Sequence, residues 1–370
     1  MSDTEISLVL EGWVGVGTEG KRKEGKRKDG SGRSPRVRTR DARWGLGGVR
    51  GSDEGREGRV GGGHAVSGRR GAWRQGGKMS RGDDAPGMGS ARAAFRTPEG
   101  VGIEPFIPSA DADHTPIFTA MTFNVAHGRG RRFHQTFVDR ATMQRNLRLI
   151  ARSIREYHPH IVALQEIDQD SSWNHRFDQL EYLRELTNYA HARHGIHKDD
   201  TLFFRRLVLR YGVGILSRLE PLDFTSQPFS PGLLDSKGFT SKRLLFHGSP
   251  ILVIALHLDF QRHRRRLQQI DVIVEHIREV KKAGDRIVVM GDFNCTLTHD
   301  RSPLRHLMKL LNLHTFEADS SDEHISFPGL IKRRLDYIVI DESLRFDWYK
   351  TGRERLSDHE YVVAGIRLIE

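Results

Sequence analysis

The pattern of apolar and polar positions changes character part-way along the chain. From about residue 114 onward, short apolar runs alternate with stretches whose apolar residues recur every three to four positions. The run 115–125 (TPIFTAMTFNV) predicts a buried strand reaching Asn124. Leu147, Ile150 and Ile154 stand at helical spacing and predict a helix over 137–157, stopped by Pro159. A second strand is expected over 160–167, then a helix over 178–190 with Leu180, Leu183 and Leu186 on one side. Further strands are expected at 211–217, 251–258 and 287–292. A helix over 264–282, apolar at Leu267, Ile270, Val274 and Ile277, lies between the last two. Strands at 335–340 and 361–368 complete the set. Several strands follow one another with short connections, which argues for mixed rather than purely parallel sheets. Two such sheets face to face, with helices outside, would fit, and no repeat of fixed period is present.

Residues 1–113 read differently. They hold 25 of the 38 glycines, 21 Lys/Arg and 16 Asp/Glu, with few branched apolar residues. Such a stretch cannot bury enough apolar surface to offset the entropy of ordering, so a disordered Arg/Gly-rich tail is expected. Its bland reading is a solvated tail or sequence upstream of the true start, with Met79 and Met88 within it as alternative starts. The remainder, 114–370, is long enough for one sizeable core. The net charge of +11 favours polyanionic partners, although the tail supplies nearly half of it.

One cysteine, Cys295, excludes an intramolecular disulfide framework and fits a reducing compartment. No apolar run approaches the length needed to span a bilayer, and the N-terminus lacks a basic segment and a small-residue cleavage site, so a cytoplasmic, monomeric protein is expected. No apolar membrane-facing loop stands out in the sequence. The run QRHRRR at 261–266 opens the expected third helix, where its positive charge opposes the helix dipole.

The chemistry lies where apolar strands end. Asn124, Glu166, His257, Asp292 and Asn294 close strands; Asp336 opens one, and Asp358–His359 precedes another. Burying such groups beside a core is costly unless they pair or bind metal, and strand ends converge on one rim, so one shared site explains their placement together. Carboxylates and amides without thiolates suit Mg²⁺, with Mn²⁺ as the alternative. A metal, a carboxylate acting on water and neutral donors together match phosphoester hydrolysis.

The stretches TFNV, LQEID, YGVGILSR, LHLDF, MGDFN, RRLDYIVI and SDHEYVV occur in the order typical of the endonuclease/exonuclease/phosphatase superfamily. This superfamily includes pancreatic-type deoxyribonuclease, abasic-site endonucleases, inositol polyphosphate 5-phosphatases and neutral sphingomyelinases. The resemblance covers roughly 115–370 and implies a four-layer αββα sandwich of two mixed β-sheets. It implies Glu166 on the metal, supported by Asn124 and Asp358, and Asp292 on the nucleophilic water. It also implies Asn294 and His257 at the phosphate, and His359, held by Asp336, at the transition state. Lys237 stands where many relatives carry an Arg near the phosphate; it keeps the charge but not the bidentate fork. Trp173 stands where a subgroup carries Arg. The implied substrate is a phosphate ester, with nucleic acid as one candidate. The competing reading is a non-catalytic RNA binder that uses the Arg/Gly-rich tail and a retired hydrolase domain.

Overall fold

The central strands are apolar at nearly every position because both of their faces are covered. The computed structural model describes residues 116–202, 207–230, 237–319 and 323–369. The expected tail, 1–113, with Met79 and Met88, lies outside the described residues. Among the described residues no helix is long and apolar enough to cross a membrane.

The first half runs β1 (Ile117–Asn124), α1 (Arg140–Tyr157), β2 (Ile161–Asp168), α2 (Gln179–Thr187), β3 (His191–Leu202) and β4 (Leu207–Ser217). The second half runs β5 (Pro221–Pro228), β6 (Gly238–Phe246), β7 (Ser249–His257), α3 (His263–Val280), β8 (Arg286–Asp292) and α4 (Pro303–Leu311). Then come β9 (Leu313–Thr315), the short pair β10 (Phe327–Pro328) and β11 (Lys332–Arg333), β12 (Asp336–Asp341), β13 (Leu344–Thr351) and β14 (Val362–Leu368).

Two six-stranded sheets form, in the orders β13-β14-β1-β2-β4-β3 and β5-β6-β7-β8-β12-β9. Each is mixed: β1/β2 and β7/β8 are parallel, and each such pair is joined by an 18-residue helix. Alternation along each strand then sorts the layers. Ala120, Ala163 and Ile215 meet Val253, Met290 and Ile338 between the sheets. On the outer face of the first sheet, Met121, Val162 and Leu164 pack under Leu147, Ile150 and Leu183 of α1 and α2. On the other outer face, Leu252, Ile254 and Val289 pack under Ile270, Ile277 and Leu304 of α3 and α4. The result is helix, sheet, sheet, helix.

Local signals set the helix limits. Asp139 accepts a hydrogen bond from Thr142 N, so α1 starts at Arg140 rather than at 137, and a 3₁₀ turn occupies Gln135–Phe137. Asp178 caps α2 through Glu181 N. His158 and Asn188 end these helices in the left-handed conformation. No side chain caps α3, which opens in the basic run.

Gly291, at φ +149°, leaves no room for a side chain beside β7: a Cβ there would stand 2.0 Å from the Leu256 carbonyl oxygen. Gly291→Ala should therefore force the two central strands apart and cost about 2 kcal/mol or more in urea unfolding. A wild-type midpoint would show that this close approach is not required.

Candidate active site

Register does most of the assembly. Across the second sheet Gly238, His257, Asp292 and Asp336 stand side by side. Neighbours in register share a face, and this row continues the face that carries Val253, Met290 and Ile338 toward the other sheet. The polar row is thus the rim of the inter-sheet core.

The first sheet supplies the opposite wall. Asn124 follows Phe118 and Ala120 in the inward phase of β1. In β2 simple alternation would turn Glu166 outward, in phase with Val162 and Leu164. A bulge between Gln165 and Ile167, with Glu166 at φ +52°, resets the phase and re-aims that carboxylate. Ile167 consequently packs in the outer layer.

Asp292, 1 % exposed, is the hub. Its Oδ2 accepts a hydrogen bond from Asn124 Nδ2 at 3.1 Å and lies 3.3 Å from His257 Nε2 and 3.8 Å from His359 Nε2. Its Oδ1 accepts from Asn294 N at 2.9 Å, closing a tight turn. His359 Nδ1 is 2.8 Å from Asp336 Oδ2, and Ser326 Oγ accepts from the backbone N–H groups of Leu335 and Asp336. Lys237, buried rather than on the surface, points its Nζ to within 2.7 Å of His257 Nε2 and 3.4 Å of Glu166 Oε1.

Each residue singled out from the sequence therefore joins one connected cluster, at differing depths. Asn294 takes part through its backbone, while its side-chain amide donates to the Leu258 carbonyl at 3.0 Å. Asp358 sits at the margin, ion-paired with Arg129. Asp336 pairs with His359 rather than with the neighbouring Arg333 or Arg334, whose guanidinium donates to the Phe316 and Glu317 carbonyls.

Sequence reasoning passed over His127, Arg129 and Asp168. Arg129 also lies 3.7 Å from Glu166 Oε2. His127 reaches Glu166 at 3.6 Å through Nε2 and Asp168 at 2.9 Å through Nδ1, and Asp168 in turn accepts from Trp173 Nε1 at 2.9 Å. The His127 ring meets the edges of Trp173 and Tyr211. The available signal was the polar run HGRG directly after the first strand, next to a residue already suspected.

Burial alone would raise every carboxyl here. For Glu166 it is outweighed by Lys237, His127, His257 and Arg129, which hold it well below the usual carboxylate range. For Asp292, burial is likewise overcome by His359, His257 and Lys237. Burial, opposed by His359 and reinforced by Asp292, pushes the Asp336 carboxyl up to about 6. Burial pulls His359 down, but Asp336 and Asp292 outweigh it and raise its imidazole to about 10. Between those values the pair is carboxylate and imidazolium. Burial and the charge of Lys237 lower His257, which stays neutral and offers Lys237 a lone pair. Burial pushes the Cys295 thiol up, outweighing the Leu304 backbone and Ser302 Oγ at 3.8 Å, so it is no activated nucleophile.

The donor set fits a hard divalent cation: the Glu166 and Asp358 carboxylates both meet Arg129, and the Asn124 amide oxygen, which accepts from Ala126 N at 3.1 Å, keeps a second lone pair, with no thiolate among them. Asp336 Oδ1 is buried with no hydrogen-bond partner among the described residues. Ligand atoms of Asp292, Asp336 and His359 also lie within 4.8 Å of one another, but His359 in that trio is committed to Asp336 as a cation.

This geometry and the sandwich that carries it define a class. The Endonuclease/Exonuclease/phosphatase family model matches residues 121–359, and the chain belongs to that family. Solved structures share the fold at low identity. One is an endonuclease/exonuclease/phosphatase from Beutenbergia cavernae (21% identity, 68% of this chain and 72% of that one, TM-score 0.55). A second is humanized D. rerio TDP2 (16%, 68% and 99%, TM-score 0.52). The human Nocturnin catalytic domain with bound sulfate anion is a third (18%, 69% and 95%, TM-score 0.53). No curated protein matches the chain significantly.

Asp336→Asn should remove the partner that holds the His359 proton. Its titration, followed by imidazole NMR, should fall from about 10 toward or below the ordinary 6.5. A folded value raised in this way stabilises fully below 6.5 and is lost as pH rises through about 10, so the variant should lose stability at neutral pH but converge with wild type in strong alkali. An unmoved His359 titration would sink the pairing.

Proposed function

We propose that residues 114–370 form a catalytic domain that hydrolyses phosphate esters with the aid of a divalent metal. The observation that carries this reading is the convergence of Glu166, Asp292, His257 and the His359–Asp336 pair on one cleft, from strands far apart in sequence.

Asp292 is ionised and fixed by Asn124 and the Asn294 N–H, so its carboxylate can orient a water and accept its proton for in-line attack. His359, kept cationic by Asp336, donates toward charge developing on the phosphoryl oxygens. Lys237 and neutral His257 face the same space and supply further donors. Arg129 closes the margin between Glu166 and Asp358. A Mg²⁺ or Mn²⁺ held by Glu166, with Asn124 and Asp358 beside it, would neutralise phosphoryl charge. His127 and Asp168 orient Glu166 from behind.

The carboxylate of Asp292 is the decisive test. Asp292→Asn should keep the fold and lose roughly 10²–10⁴-fold in turnover, the range expected for removal of a general base. Turnover equal to wild type would overturn its role. Chelation with EDTA should abolish activity and added Mg²⁺ or Mn²⁺ restore it; activity indifferent to EDTA would refute the metal. A related D. rerio TDP2 structure contains single strand DNA product. The substrate panel should therefore include oligonucleotides beside simple phosphodiesters, inositol phosphates and sphingomyelin.

A further inference from the structure

Apolar side chains are normally scattered singly over a protein surface, and their clustering is what carries information. Here five of the ten large ones exposed among the described residues lie on segments that adjoin the site. Leu330 and Ile331 form the tip of the β10–β11 hairpin, 108 % and 64 % exposed, and are the most prominent case. The hairpin's base is anchored at the site, since Phe327 packs on His359 with ring centroids 5.1 Å apart. Beyond His257, Phe260 is half-exposed and lies 6.0 Å from Lys237 Nζ. Past Arg129, Phe133 is 83 % exposed, and exposed Phe137 connects through His134 and Trp173 to His127.

Charge accompanies each of these segments. Lys332 and Arg333 follow the hairpin tip, Arg131 and Arg132 precede Phe133, and Arg262 follows Phe260; all are exposed. Apolar tips bordered by cations fit a surface that is anionic outside and hydrocarbon beneath. A nucleic acid would use the cations and could stack on the phenylalanines, but two aliphatic side chains at a hairpin tip offer a base no π-face. The sequence shows no apolar loop because Leu330 and Ile331 are only two residues long; their exposure comes from a hairpin whose turn has nothing packed over it.

We propose that this rim docks on an anionic lipid bilayer, with Leu330 and Ile331 entering the acyl boundary, so that the cleft faces phosphate esters held at the membrane surface. The placement of the rim around a catalytic centre rests on the proposed hydrolase reading; the docking itself does not.

The test is sedimentation of the full chain with vesicles of phosphatidylcholine, with and without phosphatidylglycerol. Wild type should partition onto the phosphatidylglycerol vesicles. The double change Leu330→Ser/Ile331→Ser should weaken that partition roughly tenfold, as expected for two aliphatic side chains kept in water. Lys332→Ala/Arg333→Ala should remove part of the salt-sensitive component. Residues 1–113 are present in every variant, so their charge cancels from the comparison, and both pairs are exposed, so folding, checked by circular dichroism, should be unaffected. Absence of wild-type partition, or equal partition of wild type and Leu330→Ser/Ile331→Ser, overturns the proposal. So does a double variant that loses single-stranded oligonucleotide while keeping vesicles, which would assign the rim to nucleic acid. Failure to hydrolyse any phosphate ester, soluble or presented in those vesicles, while vesicle binding persists would refute the catalytic reading and leave the docking intact.

Discussion

A single buried negative charge organises this molecule. Asp292 is almost wholly removed from water, and an ionised carboxylate in that position is tolerable only with donors and cations directly against it. Those partners come from everywhere: Asn124 from the first sheet, His257 from the neighbouring parallel strand, and His359 from the loop before the last strand. Satisfying one carboxylate therefore requires both sheets and the C-terminal segment to be in place at once. The same requirement sets an ionised carboxylate beside several hydrogen-bond donors and cationic groups.

The second carboxylate, Glu166, answers to a different constraint. Lys237 and Arg129 bring full positive charge against it, and the His127 and His257 rings also stand within about 4 Å. It is brought there by a left-handed residue in a bulged strand, a conformation that costs energy for a non-glycine residue and persists because the surrounding strands fix it. Local strain is thus the means by which a residue of the wrong alternation phase reaches the cleft.

These two routes explain what could be read from the chain alone. Most central strands and the helices α1, α2 and α3 were legible because both-face burial and helical spacing leave strong patterns, as in ALQEID or around Leu147. Strands β3, β5 and β13 were not, because edge strands such as HARHGIHKDDTL meet solvent on one side and carry no continuous apolar run, and in β6 the polar stretch Thr240–Arg243 breaks the apolar pattern. The two- and three-residue strands are too short for a periodic signal, and α4, nine residues like α2, was passed over. At the site, polar residues closing apolar strands were visible as anomalies, which exposed Asn124, Glu166, His257 and Asp292. His127 and Arg129 sit in a turn where polarity is unremarkable, and only tertiary contact reveals them. Lys237 carried no pattern signal of its own, and its place in the cluster follows from the β6–β7 register, which sets Gly238 beside His257.

The hairpin joining β6 to β7 turns at His247 and Gly248, nine residues or more from His257, roughly 30 Å away at ~3.3 Å per residue along the strand. That far end of the sandwich is tied by Arg243 to Asp285 and Asp223, and a side chain added at Gly248 would meet open space. The polar cluster thus sits at one end of the strands, and the opposite end offers a handle. A tether or fluorophore attached at Gly248 would hold the molecule to a support with its cleft turned outward.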